Sequence, residues 1–131
     1  MAEFEPIPQE VEALATAVVD AALKVHRALG PGLLESIYET CLCHELHLRG
    51  IPFKTQVPFP IVYEGIRLEG GFRLDVLVDD RLVVEVKAVE KMSPIFDAQL
   101  LTYLKIAGLR LGLLLNFNVS QIKDGIKRII R

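Results

Sequence analysis

The sequence predicts an α/β domain in which helices pack on a mixed sheet. Three observations predict it. Apolar residues recur at helical spacing in the first third of the chain, and the middle alternates at strand spacing. Ser93-Pro94 then opens another helical stretch, followed by a short apolar run. The 131 residues fit one domain, spanning 1-131, with an acidic arm at 1-8. A composition of 51% hydrophobic and 24% charged residues excludes a disordered, collagen-like or low-complexity chain.

Taken in order, Val11, Leu14, Ala15, Val18, Val19, Ala22, Val25 and Leu29 form one stripe, which predicts a helix from Gln9 to Leu29. Pro8 suits its first turn and Gly30 its stop, while His26 reads as its polar edge. Gly30-Pro31-Gly32 breaks the chain, and a second helix is expected from Leu33 to Arg49, ending at Gly50. Strands follow. Phe53 to Phe59 lies between Pro52 and Pro60, and Ile61 to Tyr63 and Ile66 to Leu68 flank a Glu64-Gly65 turn. Gly70-Gly71 resets the chain before Phe72 to Val78 and Leu82 to Val86. A helix capped by Ser93 runs to Ala107 and stops at Gly108; Leu111 to Phe117 is a buried strand, and the tail from Gln121 is helix or strand. The expected order is α-α-β-β-β-β-β-α-β.

The hairpin at the centre has a readable register. Phe72, Leu74, Val76 and Val78 are apolar at even positions, as are Leu82, Val84 and Val86. Paired strands put their apolar residues on one face, so Val78 should lie opposite Leu82 across the loop Asp79-Asp80-Arg81. That register sets Asp75 opposite Glu85, with Lys87 on the same side as Glu85 and away from the apolar face. Two carboxylates so placed repel unless a proton or a cation lies between them. A hard divalent ion such as Mg²⁺, which takes oxygen ligands, resolves the conflict; an ordinary salt bridge with Lys87 on an exposed face is the plainer alternative.

Asp75, nine residues, then Glu85-Val86-Lys87 resembles the PD-(D/E)XK nuclease superfamily, although Phe72-Arg73-Leu74 brings no Pro before Asp75. Gln99 and Tyr103 on the next helix resemble the Gln-x-x-x-Tyr extension of its RecB-like members. Gly32-Leu33-Leu34-Glu35-Ser36-Ile37-Tyr38 resembles the signature of the GxxExxY proteins within that superfamily. The resemblance covers most of the chain, from about Gly30 to Asn118. It implies a restriction-endonuclease-like core and hydrolysis of phosphodiesters assisted by Mg²⁺ or Mn²⁺.

By that resemblance Asp75, Glu85, the Val86 carbonyl and Glu35 are the metal ligands. Lys87 orients water and stabilises developing charge. Glu35, Gln99 and Tyr103 complete the catalytic set, and Gly32 and Tyr38 are family-motif positions. The plainer alternative for Glu35 is an exposed helix-face charge or a first-turn acid favoured by the helix dipole, and Glu39, one turn on, could take its place. Nucleic acid is the implied substrate, DNA ahead of RNA, with endo- or exonuclease action left open. A non-catalytic binding module on the same fold is the other reading.

Other features are weaker. Cys41 and Cys43 point in nearly opposite directions on a helix, so with His44 and His47 they do not make a zinc site, and they read as reduced thiols of a cytoplasmic protein. No run is apolar enough to span a membrane, and the acidic opening residues are unlike a signal peptide. No hydrolase elbow or phosphate loop occurs. Exposed edges of a small sheet make a second copy of the chain, as a homodimer, a candidate partner. The net charge of −2 excludes a polybasic binder. Glu3, Glu5, Glu10 and Glu12 account for much of the acidity; without them 15 basic residues face 13 acidic ones. Lys123, Lys127, Arg128 and Arg131 gather near the C-terminus.

Overall fold

The computed structural model describes residues 5–131, so Glu3 of the acidic arm lies outside the described residues. Two helices, α1 (Gln9–Leu29) and α2 (Glu35–Leu48), precede strands β1 (Phe53–Tyr63), β2 (Ile66–Val78) and β3 (Leu82–Lys87). Helix α3 (Pro94–Ala107), β4 (Leu111–Asn116), a 3₁₀ turn at Ile122–Gly125 and β5 (Ile126–Ile130) complete the chain. The five strands form one sheet in the order β1-β2-β3-β4-β5. Neighbours are antiparallel except β3 and β4, which are parallel and joined through α3. Both faces are covered, so β3 and β4 are apolar almost throughout. Helices α1 and α2 pack on one face through residues such as Val18, Ala22, Leu42 and Leu46; α3 packs on the other through Leu100 and Leu104.

The α/β class and mixed sheet are as expected, but three strands, not five, precede α3. The segments on either side of Pro60 are one strand, and so are those on either side of Gly70-Gly71. Pro58 and Pro60 are tolerated because β1 is an edge strand, with the register shifting between Phe59 and Ile61. Gly71 does not reset the chain; it makes room for Ile61, whose Cγ1 would lie 2.5 Å from a Cβ at that position. The tail resolves into a turn and a strand. Beyond Arg73, β2 pairs only with β1, so their hairpin overhangs the sheet and leaves Val62, Tyr63, Ile66 and Leu68 exposed.

The register of the central hairpin is the expected one, Val78 opposite Leu82 and Val76 opposite Val84. One expectation fails. Val76 and Val78 belong to the core under α1 and α2, whereas Phe72 and Leu74 belong to the core under α3. Strand β2 therefore turns over at Asp75. The neighbouring strand turns with it: Phe53 packs in the first core, Val57, Phe59 and Ile61 in the second. Between them Gln56, which stands opposite Asp75 in the register, has φ +50. A left-handed residue inside a strand swaps its faces without changing the pairing count.

Helix α1 also departs from its stripe. Ala21 and His26 are buried, while Leu29 is exposed. His26 is not a polar edge: its Nε2–H donates to Val119 O at 2.7 Å. Helix α2 starts at Glu35, later than expected, because the residues before it are used otherwise. Gly32 has φ +104, and the fully buried Tyr38 donates its hydroxyl to Gly30 O (2.6 Å) and accepts from Leu33 N–H (3.1 Å). Its ring stacks on Phe117 at 4.6 Å. Tyr38 thus fastens the loop that delivers Glu35.

Two of the four C-terminal bases are neutralised, Arg128 by Glu12 and Lys127 by Asp97. Among the described residues no helix is long and apolar enough to cross a membrane.

Two outcomes test these packing assignments. Tyr38→Phe keeps the stacked ring but strands Gly30 O and Leu33 N–H, and should lower unfolding stability in urea by about 1–2 kcal/mol; an unchanged midpoint would remove the clasp. Gly125→Ala should cost about 1–3 kcal/mol in the same measurement, because the new Cβ would lie 2.1 Å from Asn116 O, a backbone atom that cannot swing aside.

Candidate metal centre

The break at Asp75 is where the chemistry-bearing residues meet. In regular sheet the pair beyond Val76 and Val84 would continue the ladder. Here the two acids supply the bonds themselves. Asp75 N–H donates to Glu85 Oε2 at 3.0 Å, and Val86 N–H donates to Asp75 Oδ2 at 2.9 Å. Asp75 and Glu85 therefore lie together, as the register requires. They are not on an open face, however: α3 covers that side, and Glu85 is only 6% exposed. Val86 N–H is turned toward Asp75. Because one residue's N–H and C=O share an edge of extended backbone, the Val86 carbonyl lies on that edge too.

Burial beside a second carboxylate has an electrostatic price. The Glu85 carboxyl is pushed up to about 8, first by burial and then by the charge of Asp75. Asp75 is also raised, mainly by burial, with the Val86 N–H and the Lys87 ammonium pulling the other way. Lys87 is the cation near both, and its Nζ sits 4.5 Å from the centre of the Phe96 ring.

The segment leaving Lys87 is held on three sides. Phe117 N–H donates to Lys87 O at 2.9 Å. Ala88 N–H donates to Glu35 Oε2 at 3.3 Å. Asn116, buried at the end of β4, exchanges a pair of bonds with Val89: it accepts from Val89 N–H at 3.1 Å and donates to Val89 O at 3.0 Å. Asn116 carries no sequence signal, because it sits at the end of an apolar run and its partner lies across a parallel pairing.

The other expected residues are placed unequally. Glu35 is exposed and engaged with Ala88 rather than gathered with Asp75 and Glu85, although its charge helps to raise Asp75. Glu39 reaches further in. It accepts from Gln56 Nε2 through both oxygens, at 3.1 and 3.2 Å, and burial raises its carboxyl. Tyr103 stacks on Phe72 at 4.5 Å, and its hydroxyl is raised by burial and by the charges of Glu85 and Asp75. Gln99 is exposed on the α3 stripe between Phe96 and Tyr103, both of which border the site. Gly32 and Tyr38 shape the loop before Glu35 and do not reach the carboxylates. Cys43 is buried, and burial pushes its thiol up to about 11, as suits an inert core residue.

A divalent cation fits this donor set in one way. Among the described residues no three His, Cys, Asp or Glu side chains group closely enough to hold a metal by themselves. Two hard carboxylates beside a backbone carbonyl do suit Mg²⁺ or Mn²⁺, which complete their shells with water and phosphate oxygen. The pair also lacks charge balance: Lys87 alone opposes two acids, and the carboxyl of the buried Glu85 is pushed up to about 8.

Other concavities carry no such chemistry. One lies between Arg27, Pro31 and Lys123, another between α1 and α2 around Thr40 and His44, both away from the acidic pair.

Comparison with known proteins agrees with the geometry. Searches against curated proteins and against solved structures returned no match. A family model described as the PD-(D/E)XK nuclease superfamily matches residues 12–129, which takes in most of α1, all of α2 and α3, the sheet up to Ile129 and every residue of the site. The chain belongs to the PD-(D/E)XK nuclease superfamily.

Proposed function

We propose that this protein hydrolyses phosphodiester bonds of nucleic acid with the help of Mg²⁺ or Mn²⁺. One observation carries the reading: Asp75, Glu85 and Lys87 converge at a break in the sheet, with a half-buried and a buried carboxyl against one ammonium. Asp75, Glu85 and the Val86 carbonyl are the ligands we assign, with Glu35 behind them as the acid that fastens Ala88. The bound ion would lower the pKa of a water ligand and offset charge on the scissile phosphate. Lys87, an ammonium held over Phe96, stabilises negative charge developing on the phosphate and orients water. Tyr103, next to the acids, and Gln99, at the rim of α3, face the space a phosphate would occupy and serve to position it. Gly32, Glu35 and Tyr38 together resemble the GxxExxY signature, and the structure gives that pattern a rationale as a braced loop leading into a helix.

A second reading, a non-catalytic binding module, is favoured by one observation. Both acids already accept a backbone N–H across the strands, so they serve the fold as well as any reaction. The two readings separate in a cleavage assay on single- and double-stranded DNA and RNA with Mg²⁺ or Mn²⁺. Hydrolysis should fall at least about 100-fold in Asp75→Ala and in Lys87→Ala. Cleavage that persists in both variants would dismiss the assigned residues, and no cleavage or metal uptake in the unsubstituted chain would leave the binding module.

The raised carboxyl of Glu85 sets a pH dependence. The unfolded chain ionises this residue near its ordinary value of 4.5, while the folded chain holds the proton until about 8. The metal-free protein should therefore lose stability as pH rises from about 5 to 8, by about 1.4 kcal/mol for each unit of difference between the two states. Urea midpoints across that window should fall, and Glu85→Gln should flatten the profile. A profile identical in the variant would show that Glu85 is not the group that titrates.

A further inference from the structure

Gln56 is the one residue at this site whose backbone is strained. It lies inside β1 with φ +50, a conformation that L-residues other than Asn, Asp and His adopt only when the surroundings impose it. Its neighbours Thr55 and Val57 pair with Val76 and Leu74, so Gln56 stands opposite Asp75. The same position is where β1 and β2 exchange faces. A regular strand residue would point its side chain to one face or the other. At Gln56 the side chain instead reaches α2, where one amide nitrogen contacts both carboxylate oxygens of Glu39 at 3.1 and 3.2 Å. A Gly or Asn would satisfy the backbone at less cost, so the strain is explained by what the long amide side chain does.

Glu39 gains by this contact. Half-buried near Asp75 and Glu35, it lies among like charges, and among the described residues Gln56 is its hydrogen-bond donor. Without that donor a flexible glutamate would swing away from Asp75.

We propose that Gln56 is a positioning residue of the site: its left-handed backbone directs its amide onto Glu39 and holds that carboxylate beside Asp75 as a further acidic group of the metal centre. This inference rests on the metal-centre reading above.

The test is calorimetric titration of the whole metal-free chain with Mn²⁺, alongside thermal melting. Gln56→Gly keeps the left-handed backbone and removes the amide; Gln56→Asn also suits that backbone and is too short to reach Glu39. Both should bind Mn²⁺ about tenfold more weakly than the unsubstituted chain, with melting temperatures at or above its value. Glu39→Gln should weaken Mn²⁺ binding similarly, and adding Gln56→Gly to it should weaken binding no further. Mn²⁺ binding unchanged in Gln56→Gly, or equal losses with and without Glu39, would overturn the inference while leaving the metal centre in place. No Mn²⁺ uptake by the unsubstituted chain, or uptake indifferent to Asp75→Ala, would remove the metal centre itself and this inference with it.

Discussion

Two carboxyl groups forced together at the parting of two strands organise this protein. Asp75 and Glu85 stand where the β2–β3 ladder ends, and each closes the gap with a bond to the other strand's backbone. In low dielectric two charges so close would repel strongly, which is why Glu85 keeps its proton up to about 8. The arrangement persists because the surrounding sheet is buried on both faces and cannot open to let them separate. The sheet's other irregularity, the register shift between Phe59 and Ile61, lies further out on the β1–β2 hairpin.

The supports around the pair come from every layer. Asn116 and Phe117 grip the backbone at Lys87–Val89 from β4 and just beyond it, Glu35 grips Ala88 from α2, and Phe96 lies under Lys87 from α3. Tyr38 in turn fixes the loop before Glu35. Each support is one or two hydrogen bonds or a ring contact. Together they over-determine a short segment carrying one cation beside two acids, which is the condition for holding a charged group at a set place without cost at the moment it is used.

Much of this could be read from the chain because some constraints are local. The two-residue period and the length of the Asp79-Asp80-Arg81 loop dictate the hairpin register, and the register alone brings Asp75 to Glu85. Ser93-Pro94 marked the start of α3 for equally local reasons. What escaped depends on neighbours distant in sequence. Pro60 and Gly70-Gly71 read as breaks, yet an edge strand absorbs a proline and Ile61 fills the space over Gly71. The unbroken alternation of Phe72, Leu74, Val76 and Val78 conceals the turnover at Asp75, since a sheet buried on both sides accepts an apolar residue on either face. Gln56, Asn116 and His26 are single polar residues whose partners lie far along the chain, and no spacing announces them. Two of the bases gathered at the C-terminus, Arg128 and Lys127, are paired with Glu12 and Asp97, again partners distant in sequence.

The prolines of β1 bear on how the chain behaves toward others of its kind. An edge strand is a template on which a second backbone can add. Pro58, within the paired stretch, and Pro60, at the register shift, have no N–H to offer an added strand. Gln56 interrupts the same rim with its reversed φ. A neighbouring strand approaching here finds few donors and a twisted line of acceptors. The edge nearest the acidic site is thus protected against strand-by-strand self-assembly, and the distortion that shapes the site also serves to keep its rim free.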